Sequence, residues 1–193
     1  MTPGPRSTRT PNVLVPLADG FEEIEAVTVI DVLRRAEIGV TTATLDDSGD
    51  LGVTGSHAIR VLADARLADI DLDEVDALVL PGGMPGTRHL TEDERVVNIV
   101  QALVERGQPV AAICAAPSVL AVAGVLEGRQ ATSHPAWRDR LAGAAVLGEP
   151  AVVTSDGIVT SQGVGTALAF ALELVRQWKG RATAEALAEA MVV

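Results

Sequence analysis

Pro109-Val-Ala-Ala-Ile-Cys114-Ala-Ala-Pro117-Ser-Val-Leu120 is the stretch that decides the fold. Val110 to Ile113 is an apolar run of strand length, and the small residues after it lead to a proline. Proline suits the first turn of a helix, where its missing N–H costs nothing. The stretch therefore reads as a buried strand turning sharply into a helix, with the chain's only cysteine at the turn. There the sulfur would lie near unpaired backbone N–H groups and the positive end of the helix dipole. Those conditions favour thiolate, so the expectation is a thiol pKa below the ~8.5 of free cysteine. A buried, inert cysteine fits the same position, because free cysteine is among the most buried residue types.

The elements on either side fit a sheet of mostly parallel strands. Val13 to Ala18 reads as a first strand and Gly20 to Ala36 as a helix, with Phe21, Ile24, Val27, Ile30 and Leu33 at helical spacing. Ile38 to Leu45 is β-rich, and Leu51 to Leu62 alternates loosely, as a small antiparallel ribbon off the main sheet would. Val75 to Leu80 is a strand stopped by Pro81-Gly82-Gly83. Thr91-Glu-Asp-Glu94 has the pattern of a capping box and predicts a helix from Glu92 to Arg106. Ala151 to Ser161 is a hairpin turning at Asp156-Gly157, and two Ala-rich helices follow, Thr166 to Trp178 and Ala182 to Met191. Strands alternating with helices imply an α/β domain over residues 12–193, with helices on both faces of the sheet. Met1 to Pro11 has no apolar stretch and reads as a disordered leader rather than a secretory signal.

Composition excludes several roles. A net charge of −11 repels phosphate backbones and anionic lipid alike, so neither nucleic acid nor membrane is expected as a partner. With no Tyr, two Trp and two Phe, stacking platforms for single-stranded nucleic acid cannot be built. Gly107 to Leu126 is uncharged and has the length of a membrane span, but Pro109, Pro117 and Gly124 interrupt it. A single cysteine excludes an internal disulfide and a thiolate-rich zinc site, and suits a reducing cytoplasm.

Three loops follow the C-terminal ends of the predicted parallel strands: Ala18-Asp-Gly20, Pro81-Gly-Gly83 and Cys114-Ala115. Open α/β sheets bind ligands at those ends. Glu25 shares a helix face with Val29 and Val32, which predicts a desolvated carboxyl with a raised pKa; a solvated surface glutamate is the alternative. Glu22 and Glu23, at the helix start, need do no more than complement the dipole. His57 lies in the ribbon and His89 near a helix cap, both as surface residues. His134, in Ser133-His134-Pro135, is on a loop after the cysteine, and spacing alone does not bring it to the sulfur.

Five motifs in order resemble the ThiJ/PfpI superfamily, in the branch that holds the parkinsonism-associated protein deglycase and bacterial YajL. They are Leu17-Ala-Asp-Gly-Phe-Glu-Glu-Ile-Glu25, Leu80-Pro-Gly-Gly83, Ala111-Ala-Ile-Cys-Ala-Ala-Pro117, Ser133-His-Pro135 and Thr160-Ser-Gln-Gly-Val-Gly-Thr166. The resemblance implies a flavodoxin-like sandwich with a nucleophile elbow and a homodimer. It makes Cys114 the nucleophile, Glu25 its protonated partner acid and His134 the nearby histidine. The N–H groups of Gly83 and Ala115 become the oxyanion-binding pair. Two departures qualify it: Ala115 stands where protease-like members place a histidine, which counts against peptidase activity, and His57 replaces an arginine of human-type members. No histidine here begins the His-x-Glu pair of class I glutamine amidotransferases.

The function these residues imply is deglycase or glyoxalase III-like: Cys114 adds to the aldehyde of a small dicarbonyl or a glycated protein, with no metal or organic cofactor. The competing expectation is a redox-sensing stress chaperone that works through oxidation of Cys114.

Overall fold

The computed structural model describes residues 11–193; the expected leader, residues 1–11, lies outside them except for Pro11. In chain order, β1 (Asn12–Leu17) leads through α1 (Glu23–Arg35) to β2 (Gly39–Thr44). β3 (Gly52–Thr54) and β4 (Arg60–Leu62) follow, then the two-residue β5 (Ala65–Arg66) and β6 (Ala77–Leu80). α2 (Gly86–Glu92) and α3 (Glu94–Glu105) precede β7 (Val110–Ile113) and α4 (Pro117–Val122). Short strands β8 (Gln130–Ala131) and β9 (Ala145–Val146) come before the hairpin of β10 (Val152–Ser155) and β11 (Ile158–Ser161). α5 (Ala167–Lys179) and α6 (Arg181–Ala190) close the fold.

Seven strands form the main sheet in the order β10-β11-β7-β6-β1-β2-β5. Every neighbouring pair is parallel except the β10–β11 hairpin. Alternate residues of each central strand serve opposite layers. Val13, Val15 and Leu17 of β1, with Ala111 and Ile113 of β7, pack in the core under α1, α5 and α6. Leu14, Leu78, Leu80, Val110 and Ala112 pack in a second core, with side chains of α3 and α4. Burial on both faces explains why these strands read as unbroken apolar runs. The flavodoxin-like α/β sandwich, the ribbon β3–β4 off the main sheet and the Asp156-Gly157 hairpin all form as the sequence implies. From β1 the chain moves to β2 on one side, and from β6 to β7 on the other. The boundary between β1 and β6 is therefore the topological switch point, where ligands bind in such sheets.

Two expectations are overturned. α1 begins at Glu23, not Gly20, and turns Ile24 and Val27 outward, 55% and 48% exposed, while Glu25, Ala26, Val29, Val32 and Leu33 are buried. The face shared by Glu25 and Val29 wins because Ala26 and Val32 complete it against α5 and the sheet; the Ile24–Val27 spacing is equally helical but has no layer to meet. The proposed capping box also fails. Thr91 lies inside α2, where its hydroxyl donates to the Thr87 carbonyl at 2.7 Å. Asp93 caps α3 instead, accepting from the Arg95 N–H at 2.9 Å and pairing with the Arg95 guanidinium, which reaches on to Asp47.

Asp93→Ala is expected to destabilise the protein by about 1 kcal/mol or slightly more, the usual effect of losing a carboxylate cap. Thr91→Ala should have less than half that effect. Urea denaturation of both variants checks the assignment, and a larger loss for Thr91→Ala would restore the capping box.

Candidate active site

Strand β7 delivers Cys114 with φ +64°, a left-handed conformation that an L-residue with a Cβ adopts at a penalty of about 1–2 kcal/mol. Two backbone bonds hold it there. Its N–H donates to the Ser161 carbonyl at 3.0 Å, and its own carbonyl accepts from the His134 N–H at 2.8 Å. The neighbouring strand β11 and the 133–135 loop thus over-determine the elbow. The sulfur is half-buried, and the N–H groups of Ala115 and Gly83 point at it.

Glu25 reaches the same point from α1. Its backbone N–H is capped by the Glu22 carboxylate at 2.7 Å, which fixes the first turn. The Glu25 side chain is wholly buried. Its Oε2 accepts the Gly82 N–H at 2.9 Å, while Oε1 meets no N–H or O–H donor; the carboxyl's other partner is the Cys114 thiol. Gly82 has to be glycine: a Cβ there would lie 2.6 Å from the Cys114 Cβ and 2.7 Å from Glu25 Oε2. Gly83 follows with φ +94° and packs on the backbone of Gly20 to Glu22, where Glu22 N–H donates to the Gly82 carbonyl at 2.9 Å. The glycine loop is thereby sewn to the start of α1 across the switch point.

Burial pushes the Glu25 carboxyl up to about 7, against the pull of the Gly82 N–H. Burial, then the charge of Glu25 and the bond to it, push the Cys114 thiol up to about 12, although the Ala115 and Gly83 N–H groups favour thiolate. This corrects the expectation of an acidic thiol. Helix α4 is only six residues long and its N-cap is Ala116, so its dipole is weak at the sulfur, whereas the carboxylate is in contact with it.

The structure brings together Cys114, Glu25, Gly83 and Ala115, with His134 at the rim. The His134 ring is exposed, and its Nδ1 accepts the Ala136 N–H at 3.3 Å. A methyl placed on Gly163 would lie 3.6 Å from His134 Cδ2 and 3.9 Å from both Cys114 Sγ and Glu25 Oε1, so the three face one small space. Sequence reasoning missed Gly82 as a space-making residue, though it stands inside a motif it quoted. It also undervalued the helix-start acids. Glu23 is buried and accepts from the N–H of His57 at 2.6 Å, the Ser56 hydroxyl at 3.2 Å and the His57 ring at 3.0 Å. Burial alone would raise the Glu23 pKa; those accepted bonds outweigh it and hold the group near 2. His57 is exposed as expected, and His89 sits inside α2 rather than before a cap.

The raised Glu25 pKa makes stability depend on pH with a defined sign. The folded state keeps the proton while the unfolded chain releases it. The contribution is fully present below pH 4.5 and lost as the pH rises through about 7. At about 1.4 kcal/mol per unit, the loss is on the order of 3.5 kcal/mol. Glu25→Gln, of similar shape but unable to ionise, should lack this slope; urea midpoints across that range would show it. The same substitution removes the carboxylate charge, so Cys114 should alkylate with a lower midpoint than in the unaltered protein. An unchanged or higher midpoint would mean that the two groups are not coupled.

The model of the DJ-1/PfpI family matches residues 11–177. Protein DJ-1 homolog B of Arabidopsis thaliana is 39% identical over 95% of this chain, which spans 42% of that protein's own length. A deglycase of Pyrococcus abyssi is 36% identical over 86% of this chain and 99% of its own. The crystal structure of Drosophila melanogaster DJ-1beta superposes with a TM-score of 0.91 and 36% identity, covering 96% of this chain and 99% of that one. With the elbow, the buried glutamate and the glycine loop all in one site, the chain belongs to the DJ-1/PfpI family.

Proposed function

We propose that this protein is a cysteine-dependent enzyme acting on reactive dicarbonyls or their adducts, with deglycase or glyoxalase III-like chemistry. The observation that carries the reading is a half-buried thiol set against a buried carboxyl whose pKa burial raises toward neutrality, with two N–H donors beside the sulfur. Relatives named deglycase, at 36% and 37% identity, support it.

For methylglyoxal the steps balance without an outside redox partner. The thiol proton passes to Glu25 Oε1 as Sγ bonds to the aldehyde carbon and the carbonyl electron pair moves onto oxygen. The N–H groups of Gly83 and Ala115 hold that oxyanion. Hydrogen leaves the former aldehyde carbon as a proton and returns to the neighbouring carbonyl carbon, with Glu25 and His134 as carriers. One carbon is oxidised and the other reduced, which gives a lactoyl thioester on Cys114. Water cleaves it to lactate and regenerates the thiol. Glu25 therefore acts first as base and then as acid, and a pKa near the working pH suits both duties.

A second reading keeps the same sulfur: a redox-responsive stress chaperone in which Cys114 is oxidised. Its support is the partly exposed sulfur beside hydrogen-bond donors, and a similar structure is that of Toxoplasma gondii DJ-1 in an oxidised form. Among the described residues no helix is long and apolar enough to cross a membrane. A reducing cytoplasm is the compartment we propose, since it keeps the thiol available.

Purified protein is expected to convert methylglyoxal to lactate in steady state. Cys114→Ser should abolish turnover and Glu25→Gln lower it by roughly 10²-fold or more. Turnover that persists in Cys114→Ser, or none in the unaltered protein, would reject the enzyme and leave the redox reading. We also propose a homodimer, because α1 turns Ile24 and Val27 to solvent, and Val27 lines one depression with Leu62 of the ribbon, which is 76% exposed. Sedimentation at micromolar protein should give twice the chain mass, and Val27→Glu should shift it toward one chain.

A further inference from the structure

Glu22, Glu23 and His57 form a donor set that the thiol chemistry does not use. One carboxylate oxygen from each acid and a ring nitrogen of His57 all lie within 4.8 Å of one another. His57 Nδ1 is 3.0 Å from Glu23 Oε2 and 4.0 Å from Glu22 Oε1. Both acids are buried, 7% and 4% exposed, whereas His57 lies at the surface and leaves a way in.

The state of Glu22 Oε1 sets this cluster apart from a tied-down helix start. Its sister oxygen is committed to the Glu25 N–H, which fixes the carboxylate at the helix start while Oε1 is not sealed from solvent. Among the described residues no hydrogen-bond donor reaches Oε1; it faces the His57 ring across 4.0 Å. The bonds that Glu23 accepts from His57, Ser56 and Ile59 account for its own burial as a clamp on the β3–β4 loop. They do not account for the aim of Glu22 Oε1, which faces the same imidazole that Glu23 holds. No lysine or arginine among the described residues lies within 4 Å of either acid, and His57 is the cationic partner the two share.

We propose that Glu22, Glu23 and His57 bind one divalent first-row transition ion of the zinc type, with a further position open to water. Imidazole with carboxylates is a donor set for zinc, copper, nickel or iron(II), whereas magnesium and calcium take oxygen alone. Bonds of about 2.0–2.2 Å to nitrogen and oxygen place the ligand atoms of a tetrahedral ion about 3.3–3.6 Å apart. The His57–Glu23 separation of 3.0 Å has to open slightly and the His57–Glu22 separation of 4.0 Å to close, in a cluster whose ligand atoms all lie within 4.8 Å of one another. On binding, Nδ1 gives up its contact with Glu23 Oε2 and any proton it carries, and both atoms turn their lone pairs to the ion. The ion would fasten the cap of α1 to the β3–β4 loop, beside the thiol site and not in it.

The test is calorimetric titration of chelator-treated Cys114→Ser protein with Zn²⁺, so that the thiol cannot compete as a ligand. One saturable equivalent per chain is expected at about pH 7.5, weakening toward about pH 5.5 as protons claim His57. His57→Ala and Glu22→Gln should each weaken binding by about tenfold or more, while His89→Ala should leave it unchanged. Glu22→Gln keeps an oxygen for the helix cap, so it decides the matter alone should His57→Ala fail to fold. Absence of saturable binding, or binding that survives Glu22→Gln at full strength, overturns the site.

Discussion

A carboxyl group sealed from water against a thiol is the contact on which the rest of the site depends. Glu25 comes from α1, the donor that fixes it comes from the loop after β6, and the sulfur comes from the elbow after β7. Three separate strand-to-helix connections must meet for that one contact to form. Glycine at 82 is what allows the approach, since any side chain there would occupy the place of Glu25 Oε2 or the Cys114 Cβ. Removing water raises the carboxyl's affinity for its proton and strengthens every remaining polar contact.

The sheet supplies the positioning. Parallel strands put all their C-terminal ends on one edge, and reversal of winding between β1 and β6 leaves a crevice there. The loops at 18–22, 81–85, 114–116 and 162–166 all rise from that edge. The β10–β11 hairpin looks peripheral, yet it places Ser161 beside the elbow and supplies the carbonyl that anchors Cys114. Packing of β11 on β7 thus transmits the order of the core to the sulfur.

Much of this was legible in the sequence, for definite reasons. Apolar runs bounded by Pro-Gly or Asp-Gly mark buried strands, because burial on both faces leaves no polar position to alternate. Glu25 stood out because its spacing to Val29 and Val32 puts it on a buried face, and the structure agrees. The rival spacing through Ile24 and Val27 was just as regular; only the placement of α5 decides between them. The thiol's environment was not legible, because a local motif shows the donors beside a sulfur but not a carboxylate delivered from ninety residues away. The cap of α3 failed for a similar reason: Thr91 was already committed to an unforeseen helix, α2.

The left-handed backbone at Cys114 separates two kinds of selection. At φ +64° a glycine would relieve the steric load, so a sequence optimised for folding alone would place one there. Keeping a side chain at the one elbow position where it opposes the backbone means that the fold carries a standing penalty for the sake of the sulfur. Thermostabilising changes should therefore be sought away from the elbow. A design procedure that scores conformational ease would remove the nucleophile first, and would report the loss as an improvement.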